Sequence, residues 1–503
     1  MPSNERSIPS VSRVHSVFNN EHVSLLERLR RWPFLEPDCT QRRAGLDQWR
    51  QQVSQRRADG APRRVLFVHG QLPGETGSGV YLQQIAAEAI RRGIDLYLLS
   101  AGYHPLNSKD IPNVPVERIF TCLFTPPGQV PLPGAVKTPI SGMSVVMPYP
   151  VLAFRDRTDE ELLDWLMVFG RHIETLVAQL QPDVIHVDHL WFLNGLARLV
   201  APWIPLVASC HGTAFKLILD APRFGELVAP CVASADHVCA ISPQTLRECI
   251  ETFGVPEDCI TIEGYGFEPE LFHYRSVDRG AALKNAFDVD LQIDGLLAVA
   301  VGKFVDWKGF KELALAIGHL RQKGVPITGI IVGEGDRESR SDLEYFIHQH
   351  GLADYLLLPG KVERSLLPDI YRAADIYILP SHVEPYGMVL MEALACGSPA
   401  VCAMAGGPPS FVPAALREES LVIMVDAVQM TADGHAVAED RTPYALRLAQ
   451  GMEAVLFKKI LPLQRQRIAE AMLPLSWGRL VDNLGVIYDR LITKALSAEH
   501  LSP

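Results

Sequence analysis

From residue 63 onward, short apolar runs alternate with longer stretches of helical periodicity. This alternation is typical of βαβ units, in which helices cover both faces of a parallel sheet. The first series of predicted strands is 65–69, 95–100, 183–187, 206–209, 237–241 and 261–262. A second series follows the polar stretch 276–295, at 296–301, 329–332, 355–358, 376–379, 399–403 and 421–425. We therefore predict two doubly wound α/β domains with a ligand-binding cleft between their strand ends.

The length of 503 residues fits this pair, because a single hydrophobic core stops growing beyond about 250–300 residues. The sequence divides into an extension at 1–60, a first domain at 61–280, a second at 281–475 and a closing segment at 476–503. The extension has two short amphipathic stretches, at 23–35 and 46–53, rich in arginine. We expect the extension to pack on its own domain or on a partner subunit, which would allow an oligomer. Peripheral contact with a membrane surface is the alternative.

Composition excludes several other classes of protein. A formal charge of −11 and no long basic run disfavour nucleic-acid binding. The nine cysteines form no C-x-x-C pair, and His186 and His189 have no further ligands at zinc-like spacing, so we predict neither a disulfide framework nor a metal site. The polar start 1–10 and the absence of about 18 consecutive apolar residues lead us to expect a cytoplasmic protein.

The segment from Glu384 to Glu392 follows a buried strand, turns at Pro385 and Gly387, and then becomes helical. This arrangement places the backbone N–H groups of Gly387, Met388 and Val389 at a helix N-terminus, which is a ready site for a diphosphate. Glu392 would accept hydrogen bonds from ribose hydroxyls, and Glu384 from hydroxyls of a transferred sugar.

Two lysines, Lys303 and Lys308, lie on the loop after an earlier predicted strand of the same domain. The ammonium groups of both lysines can contact one pyrophosphate. Charge-assisted hydrogen bonds to phosphate are worth about 1.5–3 kcal/mol each, and they gain value as negative charge builds on a departing nucleotide.

With these residues in view, the chain resembles the retaining glycosyltransferases of family 4, which have the GT-B fold of two Rossmann-like domains. The resemblance runs from about residue 63 to 488 and includes 266–272 and 331–335. It implies an N-terminal acceptor domain, a C-terminal nucleotide-sugar domain, and a terminal helix that crosses back to the first domain. It also implies retention by same-face attack, with no metal or other cofactor. Lys303 departs from the family's pattern, in which arginine is usual at this position. A guanidinium that can donate two parallel hydrogen bonds is thereby replaced by an ammonium group that acts as a point charge.

The resemblance also assigns roles in the first half. The loop with Gly77, Ser78 and Gly79 would face the donor phosphates or the acceptor. The residues themselves disfavour a nicotinamide site, because Leu82 stands where a dinucleotide-binding fingerprint has its third small residue. His211, in a His-Gly-Thr sequence, would contact the donor sugar or orient the acceptor. We expect His186 to be structural.

The predicted catalytic residues are therefore His211, Glu384 and Lys308, acting on a nucleoside-diphosphate sugar linked to uridine or guanosine. The acceptor is unidentified, and a small metabolite, a lipid and a protein all stay open. Two other interpretations also stay open: a sugar-nucleotide epimerase of the same fold, and a non-catalytic partner protein descended from a transferase.

Overall fold

The computed structural model of the chain describes residues 39–497 except 75, 144–146, 290, 292 and 432–434. The amphipathic stretch predicted at 23–35 lies outside the described residues. The chain forms two compact units. Among the described residues, unit 1 comprises 39–263 and 481–497, and unit 2 comprises 264–480.

Unit 1 is built on a parallel sheet of seven strands in the order β3-β2-β1-β6-β7-β8-β9. Its strands, with the short pair β4 and β5, are β1 (Arg64–His69), β2 (Asp95–Gly102), β3 (Ile119–Leu123), β4 (Ser141–Gly142), β5 (Leu152–Ala153), β6 (Val184–Asp188), β7 (Leu206–Cys210), β8 (His237–Ala240) and β9 (Ile260–Ile262). Its helices are α1 (Cys39–Ala58), α2 (Gly77–Arg91), α3 (Asp159–Leu180), α4 (Phe192–Val200), α5 (Thr213–Asp220), α6 (Gly225–Ala233) and α7 (Pro243–Phe253). The chain direction across the sheet reverses between β1 and β6.

Local sequence signals explain where two of these helices begin and end. Helix α2 ends one residue before Arg92, and Gly93 follows in the left-handed region with φ of 76°. Helix α3 begins at a capping box, in which the Thr158 hydroxyl accepts from the Glu161 N–H and the Glu161 carboxylate accepts from the Thr158 N–H. Both signals lie within a few residues of the helix end, so they can be recognised in the sequence.

Unit 2 repeats the same architecture with six parallel strands in the order β12-β11-β10-β13-β14-β15. The strands are β10 (Leu296–Val301), β11 (Ile327–Val332), β12 (Leu356–Gly360), β13 (Ile376–Leu379), β14 (Ala400–Ala403) and β15 (Val422–Val425). The helices are α8 (Arg279–Phe287), α9 (Phe310–Gln322), α10 (Arg337–Gln349), α11 (Leu367–Ala373), α12 (Met388–Ala395), α13 (Pro408–Phe411), α14 (Ala414–Glu418), α15 (Ala438–Leu456) and α16 (Pro462–Met472). The order reverses between β10 and β13.

The last helix, α17 (Trp477–Ser497), belongs to unit 1 from Val481 onward. Within unit 1, the hydroxyl of Tyr488 on this helix lies 2.6 Å from His186 Nδ1 on β6. In the described part of the chain, no helix combines the length and the apolar character that crossing a bilayer requires.

Three strands of the structure were not predicted from the sequence, namely β3 and the short pair β4 and β5. Of these, β3 belongs to the main sheet of unit 1 and pairs in parallel with β2. Its sequence, Ile-Phe-Thr-Cys-Leu, is short and alternates only weakly, so it carries little signal by itself. Helix α1 accounts for the second amphipathic stretch, because Trp49 and Val53 are buried in unit 1.

Candidate functional site

The predicted site residues of unit 2 follow the two strands between which the sheet order reverses. β10 and β13 are neighbours in the sheet, and the helices after them lead away in opposite directions along it. Ligands of doubly wound sheets bind at the carboxyl ends of such a strand pair. The loop after β10 contains Lys303 and Lys308, and the loop after β13 contains Glu384.

Lys308 and Glu384 form an ion pair. The Lys308 ammonium Nζ lies 2.7 Å from Glu384 Oε2, and the Ser381 hydroxyl donates to the same oxygen at 2.9 Å. Glu384 is only 7% exposed, so these two donors compensate for the cost of burying its charge. The structure thus brings together two of the three residues predicted to be catalytic.

The two loops approach closely because residue 309 is glycine. Gly309 has φ of 69°, and a Cβ placed on it would lie 1.9 Å from the carbonyl oxygen of Pro380. A second contact joins the same two loops: the His382 N–H donates to the carbonyl of Trp307 at 2.8 Å. The glycine therefore fixes where the Lys308 side chain begins.

Helix α12 begins directly after Gly387, which has φ of 98°. The N–H groups of Met388 and Val389 are in its first turn, where an α-helix has no carbonyl of its own to pair with them. Met388 and Val389 are half-buried. This end of the helix carries a partial positive charge and suits an anion.

A pair of glycines that the sequence analysis missed supports this turn from the loop after β14. The N–H of Gly407 donates to the carbonyl of Glu384 at 3.0 Å. A Cβ on Gly406 would lie 1.8 Å from that carbonyl oxygen, so only glycine allows the approach. The loop after β14 thereby holds the backbone of Glu384 in place.

Glu392, on α12, is paired with an arginine that the sequence analysis did not find. Arg364 Nη2 donates to Glu392 Oε1 at 2.8 Å and to Glu268 Oε2 at 2.7 Å, so one guanidinium bridges two carboxylates. Burial raises the pKa of Glu392, and Arg364 counteracts this increase. The hydroxyl of Tyr371 approaches the other oxygen of Glu392 at 3.4 Å.

Lys303 does not join the ion pair of Lys308 and Glu384. It is exposed at the start of the loop after β10.

A second set of ion pairs surrounds buried Glu312, close to the turn that carries Lys308. Glu312 lies 3.1 Å from His382 and 2.7 Å from Nη1 of Arg441. The other terminal nitrogen of Arg441 donates to Asp306 at 2.5 Å. These contacts tie the loops after β10 and β13 to α15.

In unit 1, the strands at the reversal point bring together a cluster of histidines around a buried aspartate. β1 and β6 pair in parallel with His69 opposite Asp188. Asp188 is 1% exposed, and its two oxygens lie 2.6 Å from His69 Nδ1 and 2.5 Å from His211 Nε2. Burial alone would raise the pKa of Asp188, but His211 and the hydrogen bonds from both rings outweigh it and hold the pKa well below its usual range. An ionised carboxylate only accepts, so both ring nitrogens donate.

His189 adjoins this cluster in a strained conformation. Its φ is 77°, it is 4% exposed, and its ring centroid is 4.9 Å from that of His211. Burial lowers the pKa of His189 to about 3. Left-handed backbone at a non-glycine residue is costly and tends to occur at functional sites.

The cluster includes the one group of three potential metal ligands found among the described residues, His69, Asp188 and His189. His186, which the sequence placed beside His189, is not in it. The 2.6 Å separation of His69 and Asp188 is the length of a charge-assisted hydrogen bond. Two ligands of one zinc ion at about 2.0–2.2 Å would lie about 3.3 Å apart. The geometry therefore fits a hydrogen-bonded cluster better than a metal centre.

The glycine loop of unit 1 forms the start of α2. The Thr76 hydroxyl accepts from the Gly79 N–H at 3.1 Å and caps the helix. Gly77 is exposed, whereas Ser78 and Gly79 are buried. A Cβ on Gly79 would lie 2.5 Å from the N of Gly74, which explains the glycine.

His186 lies in a buried chain of hydrogen bonds within unit 1. Its Nε2 is 2.8 Å from the Ser209 hydroxyl, which lies 3.2 Å from the Tyr81 hydroxyl, and its Nδ1 is 2.6 Å from Tyr488. Burial lowers the pKa of His186 to about 3. The ring is neutral and fully occupied by neighbours, which suits a structural role.

Some residues missed by the sequence analysis carried a usable signal. His69 and Asp188 are polar residues at the carboxyl ends of otherwise apolar strands, where ligands of such sheets bind. Arg364 carries no such signal, because it lies in an ordinary polar stretch, 96 residues from Glu268.

Comparison with protein-family models identifies both halves of the chain. A model described as "Glycosyltransferase Family 4" matches residues 76–267, and one described as "Glycosyl transferases group 1" matches residues 284–430. Together they cover every strand of the two sheets except β1.

Curated relatives match over most of their length. A D-inositol 3-phosphate glycosyltransferase of Acidothermus cellulolyticus is 28% identical over 466 residues, covering 87% of this chain and 92% of that protein. The protein of the same name from Mycolicibacterium smegmatis is 26% identical over 457 residues, covering 86% of this chain and 92% of its own.

Solved structures share the fold at low identity. Sucrose-phosphate synthase from Thermosynechococcus elongatus superposes with a TM-score of 0.59 at 18% identity, covering 86% of this chain and 99% of its own. Anabaena HepE in complex with UDP gives 0.60 at 17% identity, covering 85% of this chain and all of its own.

Proposed function

This chain belongs to family 4 of the glycosyltransferases and has their GT-B fold of two Rossmann-like domains, and from this premise we propose that it moves a hexosyl group from a nucleoside-diphosphate sugar to an acceptor hydroxyl. Transfer retains the anomeric configuration and requires no metal ion. The donor nucleotide is UDP or GDP, and the UDP complex of Anabaena HepE supports the former.

The observation that carries the proposal is the ion pair of Lys308 and Glu384 next to the start of α12. Breaking a sugar–phosphate bond leaves a diphosphate whose negative charge grows as the bond lengthens. An ammonium group and the N-terminus of a helix are the groups that stabilise such charge. Lys308 meets the diphosphate together with the N–H groups of Gly387, Met388 and Val389, and exposed Lys303 provides a second cation.

The two glutamates bind the hydroxyls on either side of the diphosphate. Lys308 and Ser381 both donate to Oε2 of Glu384, which leaves the lone pairs of Oε1 for a hydroxyl of the transferred sugar. Glu392 accepts from the ribose, and Arg364 holds its carboxylate in one orientation. Neither carboxylate acts as a nucleophile. The departing phosphate itself takes the proton of the acceptor hydroxyl.

Unit 1 contributes the acceptor side of the reaction. His211 contacts the donor sugar or orients the acceptor, with its ring fixed by Asp188. The loop of Gly77, Ser78 and Gly79 faces the donor phosphates or the acceptor. The printed name of the relatives, D-inositol 3-phosphate glycosyltransferase, supports a small polyhydroxylated acceptor.

The test compares the purified chain with Lys308→Ala and Glu384→Gln. Each substitution removes charge-assisted hydrogen bonds worth about 1.5–3 kcal/mol, so kcat/KM for the donor should fall by about 10- to 100-fold. Lys323→Ala is the matched control, because Lys323 forms a similar ion pair with Glu453, at 2.6 Å, beyond the other end of α9. Donor turnover undiminished in Lys308→Ala and Glu384→Gln would refute the proposal.

Three further measurements define the reaction. A thermal-shift panel of UDP- and GDP-sugars identifies the donor, because a ligand that binds only the folded state raises its stability. NMR of the product anomeric proton should show retention, and a chelator should leave turnover unchanged. Isomerised sugar nucleotide formed from donor alone would instead indicate an epimerase.

A further inference from the structure

Helix α15 contacts both of the loops that carry the donor-site residues of unit 2. Two of its side chains make these contacts, Arg441 to the loop after β10 and Tyr444 to the loop after β13. They are three residues apart in the sequence, so they lie on the same face of the helix. Neither side chain belongs to the loops that hold Lys308 and Glu384.

Arg441 holds the turn that carries Lys308. Its Nη2 donates to Asp306 Oδ2 at 2.5 Å and its Nη1 lies 3.1 Å from Asp306 Oδ1, so the pair is bidentate. Nη1 also donates to Glu312 Oε1 at 2.7 Å. One guanidinium thus joins a residue before Lys308 to a residue after it. The planar, fork-shaped guanidinium suits this bridge, whereas the compact ammonium group of a lysine cannot form all of these bonds at once.

Buried Glu312 extends this contact to the second loop. Glu312 is 1% exposed and His382 is 3% exposed, and Glu312 Oε2 lies 3.1 Å from His382 Nε2. Within the described residues, neither of these two atoms makes a hydrogen bond to any other group. A buried carboxylate is costly unless it is paired. Without Arg441, the Glu312 carboxylate would keep only His382, which lies two residues before Glu384.

Tyr444 holds the loop after β13 directly. Its hydroxyl donates to the carbonyl of Pro380 at 2.9 Å, and this is the carbonyl against which Gly309 packs. The ring of Tyr444 is fully buried and lies 6.0 Å from the ring of His382, measured between centroids. The hydroxyl therefore fixes the point at which the two loops approach most closely.

The segment before α15 fixes the start of this helix. The Val437 N–H donates to the carbonyl of Gln429 at 2.8 Å, which closes the segment on itself. The Gln429 N–H in turn donates to the carboxylate of Asp440 at 2.8 Å, and Arg447 donates to the same oxygen at 2.9 Å. Arg441 and Tyr444 are thus presented from a helix whose first turn is held in place.

We propose that Arg441 and Tyr444 are positioning residues for the donor site, which keep Lys308 and Glu384 at the spacing that the diphosphate and the sugar require. They act through the two loops and do not themselves bind the donor. The inference rests on the proposed function. It adds that donor affinity depends on a helix that follows both donor loops in the sequence.

Nucleotide affinity tests the proposal without knowledge of the acceptor. UDP and GDP are titrated by calorimetry into the full chain and its variants. Arg441→Met should weaken binding of the preferred nucleotide by about 3- to 30-fold, because a small displacement of a binding group is costly. Arg441→Lys should recover part of the loss, since an ammonium group can still pair with one carboxylate. Unchanged affinity in Arg441→Met would overturn the proposal.

Arg321→Met is the matched control. Arg321 lies in the last turn of α9, at the other end of that helix from Lys308, and it pairs with Asp294 at 2.8 Å. Its replacement removes an arginine–aspartate pair from the same unit and should leave nucleotide affinity at the wild-type value. A loss equal to that of Arg441→Met would mean that affinity follows general stability, which would also overturn the proposal.

A double-mutant cycle distinguishes positioning from a purely structural role. If Arg441 acts through Lys308, adding Arg441→Met to Lys308→Ala should weaken the nucleotide by less than about 2-fold further. The melting temperature should fall by a similar amount in both backgrounds, because that loss does not involve the ligand. Losses of affinity that multiply fully would overturn the proposal, and so would a Lys308→Ala variant that binds like the wild type.

Tyr444→Phe is a second variant that decides the matter if Arg441→Met folds poorly. It keeps the ring beside His382 and removes one hydrogen bond, so nucleotide affinity should fall by about 2- to 5-fold. If Lys308→Ala weakens the nucleotide but Arg441→Met and Tyr444→Phe bind it like the wild type, the inference is wrong and the proposed function stands. If the wild-type chain binds neither UDP nor GDP, the proposed function is wrong and the inference falls with it.

Discussion

Three buried carboxylates, Asp188, Glu384 and Glu392, are each held by donors from elsewhere in the same unit. The donors are respectively two histidines, a lysine with a serine, and an arginine with a tyrosine. A buried charge is expensive unless it is paired and hydrogen-bonded. At the residue scale, each carboxylate is therefore fixed in orientation before any ligand arrives.

Asp188→Asn tests this arrangement in unit 1. The amide loses the charge that holds the His211 ring and presents N–H where one ring needs an acceptor. We expect kcat/KM to fall by about 10- to 100-fold, the value of one charge-assisted hydrogen bond. Steady-state kinetics measures the loss, and Asp188→Glu should restore part of it.

Asp183→Asn is the matched control for that variant. Asp183 lies just before β6, at the other end of the strand, where it bonds the Arg64 N–H at 2.7 Å. It should lower stability while leaving kcat/KM close to the wild-type value. Equal losses of activity in both variants would mean that Asp188 acts only through folding.

At the scale of elements, the strand-to-helix turns position the groups that the strands themselves cannot. The turn Asp306–Lys308 between β10 and α9 depends on Gly309, whose φ of 69° and contact with Pro380 exclude a side chain. Gly387 before α12 also has a positive φ, 98°, but a Cβ on it would meet its nearest neighbours only at 3.4 Å. Gly309 is therefore required by backbone geometry and close approach, and Gly387 by backbone geometry.

Gly309→Ala should therefore lower both stability and donor binding. A left-handed alanine costs about 1–2 kcal/mol, and the clash with Pro380 adds to this cost by displacing Lys308. Gly324→Ala is the control, because Gly324 also has positive φ, 82°, but has nothing within 4 Å of the added Cβ. Urea denaturation and donor KM distinguish the two. Gly324→Ala should change stability only, and an unchanged donor KM in Gly309→Ala would contradict the assigned role of the turn.

At the scale of the whole molecule, two units with separate sheets share one chain, and the buried histidines of unit 1 should make its stability depend on pH. Burial lowers the pKa of His186 and of His189, both in unit 1, to about 3. The unfolded chain takes up protons at these rings near pH 6.5, whereas the folded unit does not. The free energy of unfolding that these two rings contribute is therefore fully present above pH 6.5 and is lost as the pH falls toward 3. Asp188 does not add to the pH dependence of stability in this range. Because its pKa is lowered in the folded protein, the stability that it contributes is lost only below about pH 4.

Calorimetry between pH 7 and 4.5 checks this expectation. Each ring contributes up to about 1.4 kcal/mol per pH unit below pH 6.5. His186→Gln should reduce the slope for unit 1 by that amount, since glutamine stays neutral beside Ser209 and Tyr488. The exposed His104→Gln is the control and should leave the slope unchanged. A steeper slope in His186→Gln would mean that this ring is charged in the folded protein.

The sequence by itself determined the strands of both sheets except β3, the capping box of α3, and the turn and helix that follow β13. These features depend on neighbours within a few residues, through apolar periodicity, turn residues and caps, so they can be inferred locally. The type of fold followed from repetition of the same pattern.

Only the tertiary structure decided which charged groups meet. Arg364 bridges Glu268 and Glu392, and Asp188 binds His69 and His211, across separations of 23 to 119 residues. The sheet order that places β6 between β1 and β7 brings His69 and His211 to Asp188, and the packing of unit 2 brings Arg364 to both glutamates. Such contacts depend on strand order and burial, which no local pattern specifies. For this reason, the sequence predicted Glu384, Lys308 and His211 as site residues but not the residues that hold them.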